Sequence, residues 1–123
     1  MNGYVDPAFK DKLEVAELSW EDTDQCTKYS SDVDIIIGAD ITYDPTIIPV
    51  LVTALKAMIQ SSQQVAYIMS TVRNPETFEL FLRLIDETGV LSKSVMDLTE
   101  AKMTALCLPN PMTDFRLVLI TRK

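Results

Sequence analysis

Apolar positions along the chain fall into short blocks whose spacing alternates between strand and helix. Val33 to Ala39 (VDIIIGA) is a nearly continuous apolar run between polar neighbours. An Ile-rich run of this length predicts a strand buried on both faces, the usual state in a parallel sheet covered by helices. Val65 to Thr71 (VAYIMST) predicts a second such strand and Phe115 to Thr121 (FRLVLIT) a final one. Leu13 to Trp20 (LEVAELSW) has period-two spacing and predicts a short strand, as does Leu91 to Leu98 (LSKSVMDL). Ile48, Leu51, Leu55, Met58 and Ile59 recur at three- and four-residue spacing, the pattern of a helix with one apolar face. Thr46 suits its N-cap, which puts Pro49 at the third helical position, where no intrahelical donor is lost. A second helix runs from Pro75 to about Glu87 with Phe78, Phe81, Leu82 and Ile85 inward, Asn74 as N-cap and Gly89 just past its end. Residues 21–32 read as a loop or short helix, and 99–114, with Pro109, Asn110 and Pro111, as a loop.

The order is strand, strand, helix, strand, helix, strand, strand. Its alternating part implies a parallel sheet, and its two successive last strands an antiparallel pair at one edge. The predicted class is therefore α/β, a Rossmann-like sheet ending in a hairpin.

Composition narrows the function. The 123 residues suffice for one domain, residues 1–123, with 47% apolar and 24% charged positions. No apolar run approaches the ~18 residues of a membrane span. Residues 1–10 lack the basic start and apolar centre of a signal peptide. The expectation is a cytoplasmic protein away from membranes. A net charge of −7, with lysines scattered at 10, 12, 28, 56, 93 and 102, argues against nucleic acid as a partner. An acidic surface suits a basic protein partner, although most such surfaces serve solubility. There is no histidine and there are two cysteines, Cys26 and Cys107. That set excludes the usual Cys/His zinc sites and His-based catalysis, so no metal is expected and the thiols are read as reduced.

Ligands of open parallel sheets bind beyond the carboxyl ends of the strands. Three such ends carry Ser19-Trp20, Ala39-Asp40-Ile41-Thr42-Tyr43-Asp44 and Ser70-Thr71-Val72-Arg73-Asn74. Asp40 reads either as a carboxylate capping the next turn or as a site group. Tyr43 reads as a partly buried aromatic or as a site wall, and Asp44 before Pro45 as turn chemistry. Trp20, the sole tryptophan, is either packing or a ligand contact. Arg73 is either solvated or a partner for an acidic group.

LEVAELSW followed by DVDIIIGADITYDP resembles the region after the second strand of the seven-β-strand protein-lysine methyltransferases. Asp40-Ile41-Thr42-Tyr43 matches that family's acidic-x-x-aromatic motif after its fourth strand. STVRNPETFELF, Ser70 to Phe81, resembles the branch acting on translation elongation factor 2. The resemblance spans roughly residues 13–123. It implies a class I methyltransferase fold with strand order 3-2-1-4-5-7-6, strand 7 antiparallel, of which this chain carries the C-terminal portion, strands 3 to 7. It implies S-adenosylmethionine as cofactor and a protein lysine as acceptor, with elongation factor 2 as the substrate of that branch. Trp20 then lies near the adenine and Ala39 against the cofactor, while Asp40 and Tyr43 line the channel of the target lysine and serve as the catalytic pair.

One departure limits the match. The family holds the methionine end and ribose of its cofactor with a Gly-rich loop after strand 1 and an acidic residue after strand 2. Here Gly3, Gly38 and Gly89 form no G-x-G, and the twelve residues before Leu13 cannot supply strands 1 and 2. The expectation is an open edge on strand 4, weak folding of the isolated chain and weak cofactor binding. Two further readings compete: a truncated, non-catalytic Rossmann-like interaction module, and a methyltransferase for small molecules or nucleic acid. The net charge and the TVRNPET segment weigh against the last.

Overall fold

A computed structural model describes residues 13–97 and 114–123. Helix α1 (Thr23–Ser30) comes first, then strand β1 (Ile35–Ala39), helix α2 (Ile48–Met58), strand β2 (Val65–Thr71), helix α3 (Pro75–Glu87), strand β3 (Leu91–Asp97) and strand β4 (Phe115–Arg122). The sheet order is β1-β2-β4-β3. β1 and β2 run parallel, and β4 is antiparallel to both of its neighbours. This is the α/β, partial Rossmann-like methyltransferase architecture, with the 4-5-7-6 portion of the expected order.

Register shows which face the helices take. Ile36, Ala66, Ile68, Val118 and Ile120 point to one side and join the core built by Ile48, Leu51, Leu55, Phe78, Phe81 and Ile85. Both long helices thus cover the same face. Arg122 at the end of β4 donates to the carbonyls of Lys56 and Ile59, and Lys93 of β3 pairs with Asp86 of α3 at 2.6 Å. Each large apolar side chain buried here contributes roughly 1.5–3 kcal/mol.

α3 forms where its local code says. Asn74 accepts from the Glu76 N–H at 3.0 Å, Pro75 opens the first turn, and Gly89 adopts φ 70 beyond the end. α2 starts later than expected. Ile47, not Thr46, is its N-cap, and no side chain caps it. Thr46 instead gives both its N–H (2.9 Å) and its hydroxyl (2.7 Å) to Asp44 Oδ1, closing a turn just upstream. Pro49 therefore sits at the second helical position, where it still costs no hydrogen bond.

Two expectations are corrected. Leu13 to Trp20 is not a strand; Val15 is 89% exposed. A strand exists through a ladder, and no described segment lies alongside to pair with it. Its end is tied to α1 instead: Ser19 N–H donates to Gln25 Oε1, and Gln25 Nε2 reaches the Glu17 carbonyl. Nor is β1 buried on both faces, since Ile35 is 58% and Ile37 80% exposed. β1 is an edge strand, and among the described residues no helix covers the face these two share. Among the described residues no strand pairs with its outer edge, as expected. Leu98, Cys107 and the 99–113 portion of the expected loop lie outside the described residues.

Candidate functional site at the strand ends

The candidate site grows from the carboxyl end of β1. Gly38 allows a tight reversal there: a Cβ at this position would stand 2.7 Å from Ile41 Cδ1 and 3.2 Å from Ile68 Cδ1. Asp40 turns the chain with φ 54, the left-handed region, which Asp tolerates better than most residues. Its N–H donates to the Met69 carbonyl at 2.9 Å, and its Oδ1 accepts the Thr71 N–H at 3.1 Å. The Asp40 side chain thus joins the ends of β1 and β2. Two residues on, the buried Thr42 hydroxyl donates to the buried Ser70 Oγ at 2.7 Å and fixes the floor of the loop.

Tyr43 emerges from that floor 64% exposed. It borders a cavity of about 180 Å³ shared with Thr42, Thr71, Arg73, Thr77 and Phe78. Thr71 is the residue that both approach: its backbone N–H holds Asp40, and it lines the cavity beside Tyr43, while Asp40 does not itself line that cavity. Asp44, next along, is held below the usual carboxylate range by the Thr46 hydroxyl and N–H.

Trp20 borders a second cleft, of about 550 Å³, with Ser19, Glu21, Thr46, Ile47 and Val50. It is half-buried and packed against the core, so it serves packing and wall at once. Ala39 lies exposed at the last position of β1. The stretch from Thr42 to Ile47 separates the two cavities, and no described contact joins Trp20 to Asp40. The larger cleft falls within the ~300–1,000 Å³ of small-molecule sites, and the smaller falls below it.

These residues fit one half of a nucleoside-sulfonium cofactor. Trp20 offers an aromatic face, Ile47 and Val50 apolar walls and Glu21 an acceptor. The methionine half finds no G-x-G turn in this sequence. Among the described residues no group of three or more acidic or cysteine side chains could hold a metal ion. Cys26 is buried; its Sγ faces the Ser19 carbonyl at 3.6 Å, and burial, then the Asp22 charge, push the thiol up from its ordinary value. That is the environment of an inert thiol, not a nucleophile. Sequence reasoning passed over Thr77, whose place in the first turn of α3 gives no sign of the cavity it meets.

A mixed sheet with a parallel β1–β2 pair, an acidic-x-x-aromatic turn at the end of a strand and an aromatic-walled cleft are the features of a Rossmann-like methyltransferase segment. A model of the lysine methyltransferase family matches residues 1–88, and the chain belongs to that family. It is 32% identical over 95 residues to the protein-lysine N-methyltransferase EFM3 of Chaetomium thermophilum, covering 72% of this chain and 27% of that protein. It is 32% identical over 84 residues to the human protein-lysine N-methyltransferase EEF2KMT, covering 64% of this chain and 25% of that protein. A Dictyostelium discoideum protein is 38% identical over 96 residues, covering 73% and 26%. The chain spans about a quarter of the length of these relatives.

Proposed function

We propose that this chain takes part in S-adenosylmethionine-dependent methylation of a lysine in a protein substrate, with elongation factor 2 as that substrate. The name of the human relative and the TVRNPET segment support the choice of substrate. The observation that supports the reading is the Thr71 N–H bond to Asp40 at the end of β1, beside the cavity that Thr71 shares with Tyr43.

When bound, S-adenosylmethionine would supply a sulfonium methyl to the lysine nitrogen, an N–C bond forming as the C–S bond breaks, with the bonding pair leaving on the thioether sulfur and a proton leaving the amine. Free lysine has a pKa of ~10.4, so the amine arrives charged. Asp40 attracts and aims that ammonium with the oxygen it does not give to Thr71. A carboxylate favours the charged form, so loss of the proton depends on the drier channel beyond it. The Tyr43 ring holds the cationic or methylated nitrogen. Trp20, Ile47 and Val50 hold the adenine, and Ala39 lies against the cofactor.

Asp40→Asn tests the reading. Asparagine keeps an acceptor for the Thr71 N–H and removes only the charge. Labelled methyl transfer to elongation factor 2, with its target lysine intact or replaced by arginine, is measured for the complete enzyme and for this chain. Turnover should fall more than cofactor affinity; an equal fall in both counts against the role. The unpaired β1 edge, with Ile35 and Ile37 exposed, favours a second reading, a partner-binding module. Partner capture by the chain with no methyl transfer, even when the rest of the domain is present, would select it.

A further inference from the structure

The cavity beside Tyr43 has an unused chemistry of one sign. Four arginines occur in the chain, all within the described residues. Arg83 pairs with Glu87, Arg116 with Asp97 and Asp114, and Arg122 donates to two carbonyls. Arg73, at the cavity wall, has no partner among the described residues. This is unexpected in a chain of 18 acidic residues and net charge −7. Asp44 is committed to Thr46, and neither Asp40 nor Glu76 pairs with Arg73.

A second observation is independent of Arg73. Thr77 is only 6% exposed and borders the same cavity, and its hydroxyl has no hydrogen-bond partner among the described residues. Among the described residues no fully buried side-chain oxygen lacks a partner, so this hydroxyl reaches open space. The cavity is the space that Thr77 borders. Asn74 has already committed its Oδ1 to the Glu76 N–H, which leaves its amide N–H groups to offer. The guanidinium and the amide N–H groups at this wall can only donate, and the hydroxyls of Tyr43, Thr71 and Thr77 beside them can donate as well. They ask for an acceptor-only group, and a carboxylate meets a guanidinium in a bidentate fork. The volume of about 180 Å³ suits one side chain and not a nucleoside.

We infer that Arg73 and Thr77 form a subsite for an acidic side chain of the protein substrate, a Glu or Asp close in sequence to the target lysine. This rests on the proposed function, because it takes the Asp40–Tyr43 rim as the lysine's place. The adjoining cavity then reads a neighbour of opposite charge, so substrate choice is written as a lysine-acid pair.

Peptide binding to the full 123-residue chain, followed by fluorescence anisotropy, tests it. The probes are labelled lysine peptides carrying Glu at each flanking position, and the same peptides with Gln. At one position Glu should bind about tenfold or more tighter than Gln, the worth of a charge-assisted hydrogen bond. Arg73→Gln should erase that ratio, Thr77→Val should reduce it, and Arg73→Glu should invert it toward a Lys-bearing peptide. Arg73 is exposed, and unchanged circular dichroism of its variants would exclude misfolding as the cause. Equal binding of Glu and Gln peptides overturns the inference, as does a preference that survives Arg73→Gln. It also falls if Arg73→Gln weakens S-adenosylhomocysteine and not the peptide, which would assign the cation to the cofactor's carboxylate. An Arg73-dependent Glu preference that persists when the target lysine becomes alanine, with no methyl transfer, would leave the carboxylate subsite standing and remove the methyltransferase reading.

Discussion

Replacing Ile35 and Ile37 by lysine should make the chain monomeric while leaving its fold nearly untouched. These side chains are 58% and 80% exposed on the face of the edge strand that no described helix covers. Full burial of an isoleucine is worth ~1.5–3 kcal/mol, so covering what the pair exposes is worth roughly 2–4 kcal/mol per chain. Two chains packing these faces against each other gain about twice that. Ordering two molecules costs ~4–15 kcal/mol, which is comparable. Association of the wild type should therefore be weak, with a Kd on the order of micromolar to millimolar. The double substitution removes the apolar gain and sets like charges face to face, so Kd should rise about a hundredfold or more. Within the fold little is lost, because most of both side chains is already in water. The thermal midpoint should move by less than about 4 °C. Sedimentation velocity over a wide concentration range reads the first quantity and calorimetry the second. A wild type that stays monomeric throughout would refute the reasoning, as would a double variant that associates as strongly.

Three further outcomes follow from individual contacts. Thr42→Val leaves the Ser70 hydroxyl, 0% exposed, without its 2.7 Å partner, and should cost ~1–3 kcal/mol in urea unfolding; the double variant with Ser70→Ala should recover much of it. Asn74→Ala removes the cap on the Glu76 N–H and should cost about 1 kcal/mol, with helix loss by circular dichroism confined to the α3 region in hydrogen exchange. Because burial raises the Cys26 thiol above its ordinary 9.0, the unfolded thiol ionises at lower pH than the folded one. The stability this contributes is complete below the unfolded value and is lost as pH climbs through it toward the folded value; Cys26→Ala should flatten that alkaline decline in denaturation curves.

What could be read from the sequence was local. The α3 start needs only Asn74, Pro75 and Glu76, and its end only Gly89 with φ 70, so pattern and structure agree. β2 and β4 are apolar blocks that pair with each other along their whole length, and both stand where expected. Leu13 to Trp20 failed because period-two spacing describes a strand's faces and cannot supply its partner. β1 failed in part for a related reason: an Ile-rich run says a strand is suited to burial, while the covering elements decide whether it is buried. Both α2 and α3 took the other face. The Thr46 cap failed to a nearer competitor, since Asp44 lies two residues away and captures its hydroxyl.

The two sequence readings of Asp40, turn carboxylate and site group, turn out not to exclude each other. A carboxylate has two oxygens, and Oδ1 alone is spent on the Thr71 N–H. That bond joins residues 31 positions apart, so no local pattern could have announced it. It also accounts for the backbone: a left-handed non-glycine residue costs on the order of 1–3 kcal/mol and persists only where its surroundings hold it. Here the Met69 carbonyl grips the N–H and Thr71 grips the side chain. The strain and its restraints hold the Asp40 carboxylate beside Thr71, and its second oxygen takes no hydrogen bond among the described residues. A rigid carboxylate can aim an ammonium where a mobile one would only attract it, and alignment is where most of the acceleration of a direct displacement arises.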